Sequence, residues 1–458
     1  MAVWDTINYA EIRPDRFDAE FFQPIYKGNI RKLTSFGDSF QLGDLFLIID
    51  RGEKADYIET GNIPVLRSVN IRDLSFNDQR QEYVSREYYD KKAKGQIHKG
   101  DILITSTGTG TLGRTSIWYK DTPAFNVPEN SFLRSPIGVN PYFVAAFLST
   151  QYGVLQLFQN QRGSSGQLHL YPVDIRRIII PKFLFDYQDE IGSYLIEAFR
   201  LDEQSHSLYH QAETLLAKEL QLDQLKLPNK KWYTANYCEV NKERRINAEY
   251  FSPDVYCILS QDFLKEAMTI NDVFEIIRGY TPKCYYQSGV PVVKTKNVRT
   301  PNVDKKRISD YADSQEPLTQ TKENDLILAA MGVGSLGRMS YVTDKETNCA
   351  IDGTLRILRK KDLSLNDIEI PTMLFLSTEV GQKLIYRGIS GTTGIISLPD
   401  DYLGRIPIPV FEKSVRRKVT ELVLNSIIAK NQSEQLLAQA KHRVEELIEQ
   451  EANKYKQT

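Results

Sequence analysis

One half of this sequence returns in the other. FDAEFFQP at 17–24 recurs as INAEYFSP at 246–253, LGDLFLII at 42–49 as INDVFEII at 270–277, and IPVLRSVNIR at 63–72 as VPVVKTKNVR at 290–299. DILITSTGTGTLGR at 101–114 recurs as DLILAAMGVGSLGR at 325–338, and FLSTQYG at 147–153 as FLSTEVG at 375–381. Residues 161–183 then match 389–411 without a gap. The separation stays between 224 and 229 throughout. A period that long is not a solenoid, so each copy is expected to be a domain with its own core. At 458 residues the chain has room for two or three such cores.

Each copy has the same internal order. Short apolar runs such as DILIT, TSIWY and RRIIIPKF, broken by Gly, Pro and Asp, predict a strand-rich domain with some helix, such as PYFVAAFLSTQYGVLQLFQ. A long stretch without Gly or Pro follows Gly192. There Tyr194, Leu201, Leu208, Leu215 and Leu222 recur every seven residues, with Ile191, Ala198, Ser205 and Ala212 between them. That stripe predicts a helix packed along a partner helix. In the second copy Val419, Leu422, Ser426, Ala429, Leu436 and Ala440 fall on the matching face, which drifts towards Leu437, Val444 and Ile448. The two helices are expected to pack on each other. KLPNKKW around 226–232 reads as the linker, because Pro228 cannot continue a helix. The expected fold class is α+β, two tandem mixed α/β domains at 1–183 and 230–411. A first spacer helix with its linker occupies 184–229, and a second spacer helix 412–458.

GTGTLGR at 108–114 has the Gly-x-Gly-x-x-Gly spacing of a dinucleotide-binding turn. Such a turn needs a helix after it, whose N-terminus faces the pyrophosphate. Here RTSIWYKDTP and, in the second copy, RMSYVTDKE follow, and both alternate like strands. Neither ends in Gly-Lys-Ser/Thr, so a P-loop is excluded too. The motif is expected to be a glycine-rich hairpin. Asn140-Pro141-Tyr142 has one proline where an adenine methyltransferase needs two, and Glu20 and Glu249 lack the lysine of a nuclease carboxylate pair. His169 aligns with Ser397, so no Ser/His/Asp or Cys/His set repeats. No catalytic constellation and no metal-ligand cluster is expected.

The formal net charge is −1, so any nucleic-acid affinity must come from local patches or a basic partner. Cys238, Cys257, Cys284 and Cys349 stand far apart, which suits a reduced, cytoplasmic setting. The N-terminus has no apolar signal core, and no apolar run is long enough to span a bilayer.

Taken in order, FDAEFFQP, IPVLRSVNIR, GDILIT…GTLGR and RGSSGQLHLYPVDIRRIIIPKF, followed by a heptad helix with QAE near its end, carry a resemblance. NAEYFSP, SGVPVVKTKNVR, NDLILAAMGVGSLGR and ISGTTGIISLPDDYLGRIPIPVF with QAK repeat it. Over nearly its whole length the chain resembles the specificity subunit of type I restriction–modification systems. AFNVPENSFLR and CAIDGTLRIL depart from the family, which often has an Asn-Gln pair there. The resemblance implies two target recognition domains, each reading one part of a split DNA site. It implies an antiparallel coiled-coil spacer that fixes their separation. It also implies two modification subunits that carry S-adenosylmethionine and methylate adenine, and restriction/translocase subunits that use ATP and Mg; this chain itself would bind no cofactor. A helix of about 35 residues is roughly 50 Å long, enough to address major-groove segments about one turn apart. Two alternatives stay open: the specificity subunit of a related methyltransferase/nuclease system cutting near its site, and a coiled-coil scaffold that binds no DNA.

Under this reading, DNA contacts should come from loop cations and polar tips. The candidates are Arg51, Lys54, Arg67, Ser68, Asn70, Arg72, Arg114, Arg162 and Ser164 in the first half. In the second they are Arg278, Lys283, Lys294, Lys296, Asn297, Arg299, Arg338, Arg387 and Thr392. Arg67/Lys294, Asn70/Asn297, Arg72/Arg299 and Arg114/Arg338 are equivalent pairs, which suits phosphate positioning or structural ion pairs better than base readout. On the helices, Tyr194, Leu201, Leu208, Leu215, Leu422 and Leu436 are the candidate partner-facing residues.

Overall fold

The structure is a computed structural model that describes residues 6, 7, 9, 12–77, 80–163, 168–228, 230, 232–361, 365–391 and 396–457. It divides into two compact units, one of residues 1–203 with 430–458, the other of residues 204–429. Each is a mixed α/β body.

In the first unit the strand Ile102–Thr105 decides the layering. Its four residues are all buried, as a strand covered on both faces requires. Successive side chains point to opposite faces. Ile102 and Ile104 therefore enter a core shared with the helices, and Leu103 enters a second core with Leu66, Trp118 and Phe132. Around it runs an antiparallel sheet in the order Phe46–Arg51, Asn130–Pro136, Ile102–Thr105, Thr115–Ile117. A smaller sheet pairs Ile63–Leu66 in parallel with Ala124–Asn126. The apolar run after Asn140 forms two helices rather than one. Pro141–Leu148 ends at Ser149, and Thr150 caps Gln151–Gln159 by accepting from the Gly153 N–H.

The second unit repeats this plan. Its sheet runs Phe274–Arg278, Leu355–Lys360, Leu326–Ala329, Met339–Tyr341. Leu326 and Leu328 enter the helical core, Ile327 and Ala329 the other. Val290–Val293 pairs in parallel with Ala350–Ile351. Thr378 caps Glu379–Arg387 as Thr150 caps its counterpart.

The long helices are Gln188–Glu219, 32 residues, and Lys413–Gln457, 45 residues. The first starts ahead of Gly192. It also stops nine residues short of Pro228: Gln221 turns into the left-handed region and the Leu222 N–H bonds to Ala217 O at 2.9 Å. Each unit's core takes the opening turns of one helix and the closing turns of the other. In the first unit these are Ile191, Leu195 and Phe199 with Ala440, Val444, Leu447 and Ile448. In the second they are Val419, Val423 and Ile427 with Ala212, Leu216 and Leu220. Ile191, Leu195 and Phe199 stand 228 residues before Val419, Val423 and Ile427, so the repeat is kept in the packing.

The helices run antiparallel inside each unit. In the first, Arg443 donates to Glu190 at 3.0 Å and Lys430 pairs with Asp202, so the partner number falls as the helix advances. In the second, the Ser426 hydroxyl donates to Ser205 O at 2.9 Å, and the two Oγ atoms lie 3.0 Å apart. Of the expected stripe, Ile191, Ala198, Leu201, Ser205 and Ala212 are buried, while Tyr194, Leu208, Leu215 and Leu222 are half-buried; Leu195, Phe199, Leu216 and Leu220 are buried beside them.

Two helix corners depend on the lack of a side chain. A Cβ on Gly153 would lie 2.4 Å from Phe147 O, and one on Gly381 would lie 2.3 Å from Phe375 O. Gly153→Ala and Gly381→Ala are each expected to cost about 1–3 kcal/mol by overpacking. Gly28→Ala, in open space within a helix, should be neutral or stabilising by up to roughly 1 kcal/mol. Urea unfolding of the three variants checks this ordering.

Candidate nucleic-acid interface

The glycine motif is a hairpin. Thr105 donates to Arg114 O at 2.9 Å and Gly113 to Thr105 O at 2.8 Å; Ala329 and Arg338, with Gly337, repeat both bonds at 2.9 Å. Gly108, Gly110 and Gly113 all have positive φ, as do Gly332, Gly334 and Gly337, which only glycine adopts without strain. The tips, Thr109–Gly110 and Val333–Gly334, are exposed. Arg114 folds back on Gly110 O at 2.9 Å and Arg338 on Gly334 O at 2.5 Å. Beside each hairpin a second one begins: Arg162 and His169 exchange backbone bonds of 2.7 Å, and Ser390 and Ser397 bonds of 2.8 Å. Ser164 and Thr392 lie outside the described residues.

Asn70 and Asn297 prove to be loop builders rather than contact residues. Both are fully buried. The Asn70 Oδ1 accepts from the Arg67 N–H at 3.1 Å, and its Nδ2 donates to Asn77 O at 3.1 Å. Asn297 does the same with the Lys294 N–H at 2.9 Å and Asp304 O at 3.3 Å. At 0% exposure, neither amide can reach a base edge.

Arg67 and Lys294 form the same ion pair in each unit. Arg67 meets Glu82 at 2.5 Å and Lys294 meets Asp310 at 3.2 Å, in each case across to the neighbouring strand. Lys294 also sits 3.4 Å from the Tyr285 ring centroid, a cation–π contact. Lys296 reaches Asp310 at 3.0 Å and Ser309 at 2.8 Å. The Lys296 hydrogen bond, then that of Lys294, holds the Asp310 carboxyl below its ordinary value against the opposing effect of burial.

Two further candidates are held by their own unit. Arg162 grips buried Asp174 at 2.7 Å and Asp15 at 3.1 Å, and the Asp174 hydrogen bond raises its pKa. Arg387 donates to Tyr250 O at 3.0 Å and stacks 4.1 Å from that ring. Arg51 is intermediate: it bonds Leu170 O at 3.2 Å and lies over Tyr171 at 5.0 Å. Lys54, Arg278 and Lys283 are exposed on loops and strand ends, and Ser68 is half-buried beside Arg67.

Arg72 and Arg299 each bond the carbonyl of the residue before them at 3.0 Å. Burial, then the positive charges of Arg338 and Arg307, push the Arg299 pKa down. Arg307 is itself paired with Asp304 at 2.9 Å. Sequence reasoning missed Arg307 and its equivalent Arg80, though the 227-residue offset of this segment reaches both. It also missed Tyr57, Tyr285 and Tyr286, exposed aromatics on the loops before Ile63 and Val290. Burial and the nearby Asp352 raise the Tyr285 hydroxyl to about 12.

The helical candidates are turned inward. Leu422 belongs to the second unit's core, and Leu208 and Leu215 pack against it; Tyr194 packs on the first unit's core. Leu201 is buried and Leu436 half-buried. Among the described residues no group of three or more His, Cys, Asp or Glu could hold a metal, and no helix is long and apolar enough to cross a membrane.

Asn70→Ala and Asn297→Ala should each cost about 1–3 kcal/mol, because the backbone groups they satisfy stay buried; urea unfolding of each variant reads it. The Asp310 pairs have a pH signature. A carboxyl held below its ordinary value contributes stability that is complete above about pH 4 and is lost as pH falls through the folded value. The stability gap between wild type and Asp310→Asn should therefore be constant from about pH 5 to 8 and shrink below about pH 4 in urea titrations.

No protein-family model matches this chain, and no curated protein does. Solved structures similar to it include the S subunit of a type I restriction–modification system from M. genitalium. That subunit is 13% identical with a TM-score of 0.47, over 90% of this chain and 95% of that one. The HsdS subunit from Thermoanaerobacter tengcongensis is 14% identical with a TM-score of 0.28, over 90% and 96%. A chain from a type I R-M system, described for its complex assembly and conformational transition, is 13% identical with a TM-score of 0.30, over 91% and 97%.

Proposed function

We propose that this chain is the DNA sequence-specificity subunit of a type I restriction–modification complex. It recognises a bipartite DNA site and directs adenine-N6 methylation and restriction that partner subunits perform. One observation carries the reading: two units share one framework and differ in the loops it presents. The strand-to-strand ion pair, the Asn-closed loop, the glycine hairpin and its arginine recur in both. The loops before the parallel strands do not. GEKADYIET at 52–60 carries three acids, whereas GYTPKCYYQ at 279–287 carries none and has three tyrosines.

Shared positions hold backbone phosphates at fixed places and cannot discriminate between two half-sites; divergent loops can. Arg51, Arg72, Arg114, Arg278, Arg299 and Arg338 are the phosphate group. Lys54 and Lys283, with Ser164 and Thr392, are the base-reading group. S-adenosylmethionine, ATP and Mg belong to the partners, two modification subunits and the restriction/translocase subunits. With a net charge of −1, the chain alone should bind DNA weakly.

The deciding experiment maps methylated bases across the source genome with and without this gene. Loss of N6-methyladenine from one split motif identifies the chain as its specificity subunit and gives both half-sites and the gap. Survival of every methylated motif overturns the reading and favours a scaffold. In the assembled complex, Arg299→Ala and Arg338→Ala should weaken binding to cognate and non-cognate DNA alike and reduce the salt slope by about one each. Exchanging 280–287 for the loop at 53–60 should alter one half-site and leave the other intact.

A further inference from the structure

Within the first unit, four ion pairs among the described residues join the first half of the sequence to the closing helix of the second. Asp202 meets Lys430 at 2.5 Å, Glu190 meets Arg443 at 3.0 Å, and Asp73 meets Lys441 at 2.6 Å. In these three the acid comes from the first half and the cation from the second. Lys32 meets Glu449 at 2.6 Å with the signs reversed. Asp202 and Lys430 are themselves repeat equivalents, 228 residues apart. The Asp202 side chain is 15% exposed and also accepts from the Tyr119 hydroxyl at 2.8 Å, so its charge is held in one place.

Apolar packing along the helices does not set this choice of partner. Ala440, Val444 and Ile448, which close the first unit's core, stand at the repeat positions of Ala212, Leu216 and Leu220, which close the second. The opening turns match likewise, Ile191, Leu195 and Phe199 against Val419, Val423 and Ile427. A core built from one half and another copy of itself would meet side chains of nearly the same kind and size, which cores tolerate. The charges would not match. In two copies of the first half packed like the first unit, Asp202 would face Asp202 and Asp73 would face Glu213. In two copies of the second half, Lys430 would face Lys430 and Lys418 would face Arg443. The Lys32–Glu449 pair would be lost in both, because Gln221 and Gln261 hold the equivalent positions.

From this we infer that the seam of the long helices is an interaction surface that accepts only the unlike half, from its own chain or from another copy. An exposed ion pair adds little stability by itself. Discrimination comes from the like charges that every wrong pairing brings together. Each particle then holds one copy of each of the divergent loops, 52–60 and 279–287, whatever those loops bind.

The test uses the full chain with a protease site placed in the 226–232 linker, so that cutting leaves both halves present. Cut wild type, unfolded in urea and refolded at low salt, should return unlike pairs in native mass spectrometry, with like pairs at least tenfold below their statistical share. Asp202→Asn/Glu213→Lys removes the acids that repel a second first half and should raise the first–first pair at least tenfold. Lys418→Glu/Lys430→Asn should do the same for the second–second pair. Refolding wild type in about 1 M salt, which shortens the screening length to about 3 Å, should raise both like pairs. Like and unlike pairs of wild type in statistical proportion would overturn the inference, as would like pairs still absent from both variants. The uncut chain supplies a second measurement that needs no refolding of separate halves. There Asp202→Lys and Lys430→Asp should each lower the thermal midpoint, and the double exchange should restore most of it; simple addition of the two losses would overturn the inference equally.

Discussion

A 32-residue helix with its apolar side chains on one stripe is not stable in water until that stripe is covered. Both long helices are covered twice, by different cores. Ile191, Leu195 and Phe199 enter the first unit, whereas Ala212, Leu216 and Leu220, later on the same helix, enter the second. The other long helix makes the same division in reverse order. Each large side chain buried there contributes about 1.5–3 kcal/mol, so neither unit has a complete core without turns from both helices. The two domains of the sequence repeat and the two compact units of the fold are therefore different partitions of one chain. The repeat is divided along the sequence, and the fold divides across both helices.

The duplication separates what holds the domain from what it presents. Several residues that both halves keep have a structural duty. Asp101 and Asp325, both buried, bind Arg134 and Arg359, bracing the central strand against its neighbour. Arg67 and Lys294 brace the parallel strand. Where the halves part, the framework is untouched. The first half spends the stretch after Val84 on the helix Arg86–Lys91 and the strand Gln96–Ile97, giving its smaller sheet a fourth strand. The second half crosses the same distance in four fewer residues and has three strands there.

Much of this could be read in the sequence because two copies act as controls on each other. The glycine run at 108–113 looks like a nucleotide site alone; followed by strand in both copies, it is a hairpin, and the positive φ angles agree. The apolar run in DILIT predicts a strand, and its burial on both faces follows from the lack of a polar face. Other features depend on geometry that spacing does not contain. Asn70 and Asn297 read as polar tips, yet closing an eight-residue loop buries them. Arg162 and Arg387 read as free cations until Asp174 and Tyr250 come beside them in space. The stripe found the helix and, through Ile191, Ala198 and Ala212, part of its deepest face, but Tyr194 and Leu208 are half-buried because the core side wraps towards Leu195 and Phe199. Gln221, not Pro228, ends that helix.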